Sequence, residues 1–346
     1  MYDELEHACR AISGKHFWGE GWIAVRRTIH FDSKGFTPEV SAQLASMEEL
    51  LRPTDLVQKI RSVVLSNGLI GVELDLWDDN RDDIPAGIER IEAIAQGLGQ
   101  AVAADEQVFG DLLAELVSSE GRLWSFGRGL AGGAKDPSAL WKQLVTQLAD
   151  TAEGQRKVQI LCGFLHAMHA RSPEVANLFL DDALQHAILA PWYPILQIAV
   201  GIDRQGVDRL KRSLVLGKAP IWIYRNLAAG RVTDPISGKD FKEPVLEIAA
   251  KPDGLDAASD IVYMRLHSAE GQKQSLAPEI IDAGCELLRH LKFTKQNGHN
   301  DYMLGAICKS CLIGATDTAI AQQICRKLAD SISKYETYAL YYGDLL

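Results

Sequence analysis

The sequence predicts an all-α fold, a right-handed α-solenoid of stacked antiparallel helical hairpins with units of about 36 residues. Two observations carry this prediction. Amphipathic helical periodicity is clearest between residues 155 and 189, and a near-constant step separates the residues that open helices. A less regular helical region is expected before residue 85.

The clearest hairpin lies at residues 155–189. Its first helix carries an apolar stripe at helical spacing, of the kind that faces a core. The residues of the stripe are Val158, Leu161, Leu165 and Met168. After a short turn, Ser172 is placed to cap the second helix, Pro173 takes its first position, and Glu174 lies in the first turn, where the helix dipole favours an acid. These signals predict two antiparallel helices.

Helix openings recur at a regular step along the chain. Their markers are Pro137, Pro173, Asp208, Pro244 and Pro278, so the steps are 36, 35, 36 and 34 residues. A further capping cluster at 316–318 adds one more step. Two helices and two turns occupy about 36 residues, the unit size of tetratricopeptide-like and HEAT-like arrays. No repeat consensus of either kind is visible, so the period rests on turn chemistry.

We predict two domains, a helical N-terminal region at 1–84 and a helical repeat domain at 85–346. The first includes the aromatic-rich segment 16–30, and Val72–Leu76, which alternates at period two as one strand or an extended linker. Asp78–Asp83 holds four acids and one arginine, a composition typical of a solvated loop. In the second domain, helices are predicted at about 88–100, 105–119, 138–150, 155–170, 173–189, 194–200, 204–216, 220–230, 242–252, 255–268, 277–293, 299–313 and 316–334.

Composition excludes several classes of protein. With 346 residues, 47% hydrophobic and 24% charged, the chain is ordinary globular protein, and no apolar run is long enough for a membrane span. The N-terminus has no signal-peptide pattern, so we expect a cytoplasmic protein without a membrane partner. Six irregularly spaced cysteines predict reduced thiols. The net charge of −10 argues against general nucleic-acid binding.

Gly127 to Gly132, GRGLAG, fits the letters of the dinucleotide fingerprint. The fingerprint needs a preceding strand and a helix that opens on its last glycine, whereas the flanking segments here predict helices. We therefore predict a glycine-rich loop between helices, and no cofactor.

Cys162, His166 and His169 fall at i, i+4 and i+7, so all three lie on one face of a predicted helix and could approach one metal ion. The same face carries apolar residues and no fourth ligand is evident, so packed side chains are the preferred interpretation and no metal is predicted. Cys308 and Cys311 form a lone CxxC inside a helical pattern, without the strand that precedes a redox pair. No catalytic motif occurs, and we expect no enzyme. A metal-dependent enzyme built on the first three residues is one alternative.

Charge placement is the strongest functional signal. Residues 204–231 hold seven cations and one acid, Asp208. The predicted partner-binding residues of this basic segment are Arg204, Arg209, Arg212, Lys218, Trp222, Tyr224, Arg225 and Arg231. The apolar stripe of the first helix predicts that its arginines point outward, and cations interleaved with aromatics are typical of surfaces that bind phosphates, bases or acidic proteins. Alternatively, the cations pair with Asp181, Asp182 and Asp203 on neighbouring helices, and the aromatics are core residues with a polar tip.

Several runs resemble the helical-repeat C-terminal regions of large bacterial multidomain NTPase or effector proteins, some of them linked to defence against phage. The runs are GRLWSFGRGLAGG, CGFLHAMHARSPEVANLFLDDAL, LKRSLVLGKAPIWIYRNLAAGR and KPDGLDAASDIVYMRLHS. The resemblance implies a helical sensor or scaffold region, and its motifs carry no catalytic residue. Since the sequence contains no effector module, we expect either a helical fragment of a longer protein or a small protein with the same helical architecture.

The function that the sequence predicts is a non-enzymatic helical-repeat scaffold or sensor surface that binds a protein partner. That partner would be an acidic protein or other domains of a larger polypeptide. Binding of nucleic acid or phosphate through the basic segment is the alternative.

Overall fold

A computed structural model describes residues 2–13, 16–66, 84–271, 275–290, 301–314 and 318–334. All regular structure in these ranges is helical and no strand occurs within them, which confirms the all-α prediction. The alternating segment Val72–Leu76 and the acidic run Asp78–Asp83 lie outside the described residues. None of the described helices combines the length and the apolar character needed to cross a membrane.

The chain divides into two compact units, Met1–Asn177 and Leu178–Leu346. The first holds α1 Tyr2–Ser13, α2 Gly19–Asp32, α3 Pro38–Leu51, α4 Leu56–Val63, α5 Ile84–Ala103, α6 Glu106–Leu116, α7 Leu123–Gly133, α8 Pro137–Asp150, α9 Gln159–Arg171 and the beginning of α10 Pro173–Ala183. The second continues with α11 Tyr193–Ala199, α12 Arg204–Leu216, α13 Gly238–Ala249, α14 Gly254–Gly271, α15 Pro278–His290, α16 Asp301–Gly314 and α17 Thr318–Lys334. Short 3-10 helices lie at Ser33–Gly35, Glu153–Gln155, Ala190–Trp192 and Ile221–Ala228.

Residues on both sides of the predicted boundary at 84/85 belong to the first unit. Arg61 of α4 forms an ion pair with Glu115 of α6, with Nη2 and Oε1 2.6 Å apart. The backbone N–H of Arg122 donates to the carbonyl oxygen of Val64 over 2.8 Å. The N-terminal helices therefore pack on the next ones, and the division between compact units falls later in the chain.

Side-chain caps begin α8 at the predicted opening and α12 close to the predicted opening. Before α8, the Asp136 carboxylate accepts the N–H of Ala139, and Pro137 takes the first helical position, where its missing donor leaves no helical bond unmade. Before α12, the Asp203 carboxylate accepts the N–H of Gly206 over 2.7 Å. With this cap α12 begins at Arg204, four residues before the predicted marker Asp208.

The predicted helix opening at Pro244 is wrong. α13 begins at Gly238, where the Ser237 hydroxyl accepts the N–H of Asp240, and Pro244 lies in the helix interior. An interior proline removes one helical hydrogen bond. Pro244 is buried on the apolar face of α13, however, so packing outweighs that loss. The openings of α8, α10, α12, α13 and α15 are consequently separated by 36, 31, 34 and 40 residues.

The glycine-rich segment 127–132 is helical, so the predicted loop is wrong. It belongs to α7, which packs between α5 and α9. A Cβ atom on Gly127 would lie 2.2 Å from the carbonyl oxygen of Ile160 in α9, and one on Gly129 would lie 1.8 Å from that of Gln96 in α5. These glycines are needed because the backbones of neighbouring helices approach too closely for any side chain.

Glycines on the flanking helices make the same approach from the other side. A Cβ atom on Gly99 of α5 would lie 2.1 Å from the Phe126 carbonyl oxygen, and one on Gly163 of α9 would lie 1.9 Å from that of Trp124. The glycine pattern in this region is therefore explained by helix packing, and no nucleotide-binding interpretation is needed.

In the second unit, α13, α14, α15 and α16 pack against one another. The 3-10 helix Ile221–Ala228 packs on α14 and α11, and α12 packs on α11 and α13. This arrangement places the basic segment, residues 204–231, on two elements that are held by different neighbours.

Candidate protein-interaction surface

The basic segment consists of α12, a tight turn and a 3-10 helix. α12 ends at Gly217, which adopts the left-handed conformation (φ 62°) and donates its N–H to the Ser213 carbonyl oxygen. Glycine adopts this conformation without strain, so a short turn can follow directly. Pro220 then precedes the 3-10 helix Ile221–Ala228. The two elements predicted from the sequence are present, the second with 3-10 geometry.

Arg209 is buried, so the prediction that it points outward is wrong. Only 2% of its side chain is exposed. Its Nε donates to Asp181 Oδ1 over 2.9 Å and its Nη2 donates to Asp181 Oδ2 over 3.0 Å, a bidentate pair between α12 and α10. The Arg209 hydrogen bonds hold the pKa of the Asp181 carboxyl below its ordinary value. Arg209 is therefore part of the structural framework of this unit.

The reason for this error lies in the small residues of α12. The apolar stripe alone suggests a narrow buried arc, but Gly206 and Ser213 are buried as well. They precede and follow Arg209 by three and four residues, so they share its face of the helix. Two small residues on one face leave room for a long side chain, which is the signal that identifies position 209 as buried.

Tyr224 is also a core residue and not a surface residue as predicted. It is 1% exposed, and its hydroxyl donates to Ser213 Oγ over 2.7 Å. Burial raises its pKa to about 12. This matches the alternative in which the aromatic is core with a polar tip.

Most cations of the basic segment pair with acids of the same unit. Beside Arg209, the pairs are Lys211 with Glu243 at 2.9 Å, Arg212 with Asp181 at 4.0 Å, Arg231 with Asp234 at 2.7 Å, and Arg225 with the buried Asp260. Lys218 donates to the carbonyl oxygen of Gln185 over 2.9 Å. Arg204 is exposed at the first position of α12. Of the three acids that the alternative interpretation named, Asp181 accepts two of these cations.

The charge of the segment is thus largely compensated inside the unit. A variant in which Arg204, Arg209 and Arg212 all become glutamate would place a carboxylate at a buried site beside Asp181. Such a variant would report the loss of folding and not the loss of a partner. Cation count alone does not define a binding surface here.

Exposed apolar side chains mark a candidate surface in the second unit. In the described part of the second unit, all the large hydrophobic side chains that are exposed lie within residues 178–222. Their exposed fractions are 67% for Leu178, 80% for Val215, 37% for Leu216 and 62% for Trp222. We call these four residues, with the partly or fully exposed cations Arg212 and Lys218, the 178–222 surface.

A groove of about 290 Å³ lies between α12, α13 and the turn that follows α10, and it includes Arg212, Val215 and Leu216 of this surface. It is lined by Gln185, Lys211, Arg212, Val215, Leu216 and Glu247. Lys218 does not line the groove, but its ammonium donates to the carbonyl oxygen of Gln185, which does. The sequence held a signal for this groove: in the run Leu214–Leu216 only the first residue continues the buried stripe, so the next two must face solvent.

The candidate metal residues are not brought together as a metal site. Cys162 is buried, and burial raises the pKa of its thiol to about 12. His166 is exposed and its ring lies 5.4 Å from that of Trp124. Within the described ranges, no group of three or more His, Cys, Asp or Glu side chains is placed to hold a metal ion.

The CxxC cysteines lie inside α16 and are both buried. Burial raises the pKa of Cys308 to about 12, and the Cys311 thiol donates to the Ile281 carbonyl oxygen over 3.6 Å. All six cysteines are free thiols, and only Cys325 is not fully buried. Thiols in such surroundings act as small apolar side chains.

Comparison with protein families, with curated proteins and with solved structures gave no match to this chain.

Proposed function

We propose that this chain is a non-enzymatic helical-repeat scaffold or sensor surface that binds a protein partner through the 178–222 surface. The observation that carries the proposal is the gathering of Leu178, Val215, Leu216 and Trp222 on one stretch of the second unit. Val215 and Leu216 line one groove together with polar residues, and apolar patches rimmed by polar residues are typical of interaction sites. Tryptophan and arginine are the side chains most enriched at binding hot spots.

We further propose that the helices stack as a right-handed α-solenoid of HEAT-like or tetratricopeptide-like hairpins. Contacts between second neighbours support this arrangement within each unit: α5 with α7 and α7 with α9 in the first, and α13 with α15 and α14 with α16 in the second. In a solenoid each hairpin contacts only its neighbours, so second-neighbour helices form continuous layers. An experimental structure of either unit with left-handed stacking would contradict the proposal.

The resemblance to bacterial effector proteins extends the proposal to a sensor region. A sensor surface needs exposed recognition residues and no catalytic group, and the 178–222 surface meets the first condition. An effector module encoded in frame with this chain would support this extension. Neighbouring genes without any effector would leave the scaffold as the simpler proposal.

The test compares two exposed aromatic residues. Cross-linking of the full chain in its own cells, followed by mass spectrometry, identifies bound proteins, and the affinity of the purified partner is then measured. Trp222→Ala is expected to weaken binding by about 2 kcal/mol, roughly 30-fold. The matched control is Phe31→Ala, since Phe31 is 59% exposed in the first unit. It is expected to leave binding unchanged.

Equal affinity of wild type, Trp222→Ala and Val215→Glu for the partner would refute this surface. The nucleic-acid alternative is tested with the same proteins and a labelled oligonucleotide. Binding that weakens steeply with salt and is lost on Lys218→Glu would favour that alternative.

A further inference from the structure

The groove between α12, α13 and the turn after α10 has the size of a few side chains. Its volume of about 290 Å³ lies at the lower limit of roughly 300 Å³ for sites that enclose small ligands. Its walls are mostly apolar, and the lining residues include Val215 and Leu216 beside Lys211 and Arg212, whose side chains have apolar stems. These properties fit the insertion of two or three apolar side chains from a larger molecule.

The charges at the rim are unequal on the two sides. On the side of α12 and the preceding turn, the Asp181 carboxylate already accepts two hydrogen bonds from Arg209, and Arg212, 4.0 Å from it, keeps a guanidinium that is 58% exposed. Lys218 is bonded there to a neutral carbonyl group, that of Gln185. This side therefore carries two cations in excess.

On the α13 side of the groove, carboxylates outnumber the cation that they pair with. Lys211 lies 2.9 Å from Glu243 and 3.9 Å from Glu247, so two carboxylates face one ammonium. Glu247 itself lines the groove. A complementary occupant places carboxylates toward Arg212 and Lys218 and keeps them away from α13, so its orientation in the groove is defined.

The backbone of the occupant follows from the walls. Two walls are the helices α12 and α13, the third is the turn after α10 that holds Gln185, and the described residues offer no strand edge to which an extended peptide could add. A helix that lies between helices fits its ridge of side chains into the groove, with apolar residues three or four positions apart.

We propose that the groove binds an amphipathic helical segment of a protein partner, with an apolar i, i+4 pair in contact with Val215 and Leu216 and carboxylates in contact with Arg212 and Lys218. This proposal rests on the proposed function and names the kind of partner. A nucleic acid does not fit, since it would bring phosphates close to Glu243 and Glu247. A membrane surface does not fit a concave site of this size.

The experiment is a selection from a phage-displayed library of random 16-residue peptides against the full chain. Phage are first depleted on the Val215→Glu variant, which keeps the fold because Val215 is 80% exposed. The selected peptides are expected to share two apolar residues at helical spacing and Asp or Glu beside them. A synthetic peptide of the selected sequence is expected to bind Val215→Glu and Lys218→Glu at least tenfold more weakly than wild type.

A charge exchange provides the sharper test. Replacing the acids of that peptide by lysine is expected to restore at least part of its binding to Lys218→Glu and to weaken its binding to wild type. The control variants are Lys251→Glu, an exposed cation of the same unit, and Ile88→Glu, an exposed aliphatic residue of α5. Both are expected to bind the peptide as wild type does. Circular dichroism and melting temperature verify that every variant folds.

Basic peptides, peptides without helical spacing, peptides that bind Val215→Glu equally well, or the absence of any enrichment would each overturn the inference. The proposed function is tested separately by the natural partner. If that partner is lost on Trp222→Ala while the selection fails, only the inference is wrong. If peptides bind in the groove but the natural partner ignores Trp222 and Val215, the proposed function is wrong.

Discussion

Neighbouring helices are joined differently in two regions of this protein. In the first unit, α5, α7 and α9 touch through glycines whose Cβ positions would fall about 2 Å from carbonyl oxygens of the facing helix. In the second unit, α10 and α12 are joined by the pair between Arg209 and Asp181, two long polar side chains. One contact is backbone against backbone and the other is charge against charge.

The two contacts respond to different disturbances. Backbone packing depends on van der Waals distance, so it tolerates changes of pH or salt but no added atom. An ion pair tolerates small shifts of its helices but depends on the protonation of its acid. The glycines of α7 fit the letters of a dinucleotide-binding motif, and the arginines of α12 suggest a binding surface. In this helical protein, however, close helix packing explains the glycines and an ion pair between helices explains Arg209.

The largest effect is expected from Gly129→Ala in α7. The new Cβ would lie 1.8 Å from the Gln96 carbonyl oxygen, so α5 and α7 must separate, and we expect a loss of about 3 kcal/mol in the free energy of unfolding. Gly97→Ala in α5 is the control, because nothing lies within 4 Å of its Cβ position. That change is expected to stabilise the helix by about 0.5–1 kcal/mol. Urea unfolding followed by circular dichroism measures both, and equal effects would contradict the packing argument.

Asp181→Ala is expected to have the next largest effect. It leaves the Arg209 guanidinium buried without the Asp181 carboxylate, and we expect the free energy of unfolding to fall by about 2 kcal/mol. This is below the roughly 3–5 kcal/mol of a fully buried pair because the Asp181 side chain is 43% exposed. Arg212→Ala is the control. Arg212 is 58% exposed and its distance of 4.0 Å from Asp181 makes a weak ion pair, so this change should alter the free energy of unfolding by less than about 0.5 kcal/mol. If calorimetry shows similar losses for both, Arg209 does not hold the two helices.

Two acids of the second unit predict opposite pH dependence. The pKa of Asp181 lies below its ordinary 3.8 because of the Arg209 hydrogen bonds, so its contribution is present above pH 3.8 and lost as pH falls through the folded pKa. Burial raises the pKa of Asp260, so its contribution is full below pH 3.8 and lost as pH rises through the folded value.

The difference is measured with Asp181→Asn and Asp260→Asn. Melting temperatures recorded between about pH 2 and 7 should show the first variant approaching wild type as the pH falls, and the second gaining on wild type as the pH rises. The changes should be smaller than the loss on Asp181→Ala. If the melting temperature of each variant differs from that of wild type by a constant amount over the whole pH range, the pKa directions given for Asp181 and Asp260 are wrong.

The smallest effect is expected from metal removal. Cys162, His166 and His169 do not form a metal-binding group with any other described side chain, so protein purified without chelator should hold less than one zinc per chain. Exhaustive chelation should leave the melting temperature unchanged. Stoichiometric zinc would show that the α9 residues bind metal in spite of their separation.

Local chemistry made much of the fold predictable. The Asp136 cap and Pro137 open α8, and Pro173 and Pro278 take the first positions of α10 and α15, because a cap or a proline at a helix start acts within its own helix and needs no distant partner. The same reason explains the end of α12 at Gly217. Pro244 was misleading because the energy that holds it inside α13 comes from other helices.

For the candidate site, the sequence singled out residues 204–231 but not which of their side chains are exposed. Trp222 is exposed as predicted, whereas Arg209 and Tyr224 are buried. The groove around Val215 and Leu216 does not follow from the sequence, because its walls are α12, α13 and the turn after α10, which are separate in sequence.

The sequence by itself determined the all-α class and the starts of most helices. Each of these depends on helical period, caps and composition, which act within one or two turns. Tertiary structure decided that Gly127 and Gly129 face other backbones and that Arg209 meets Asp181, 28 residues away. A single helix specifies the angle at which a side chain leaves it, but what occupies that direction is set by the neighbouring helix, and the neighbour determines whether a glycine or an arginine is packed or free.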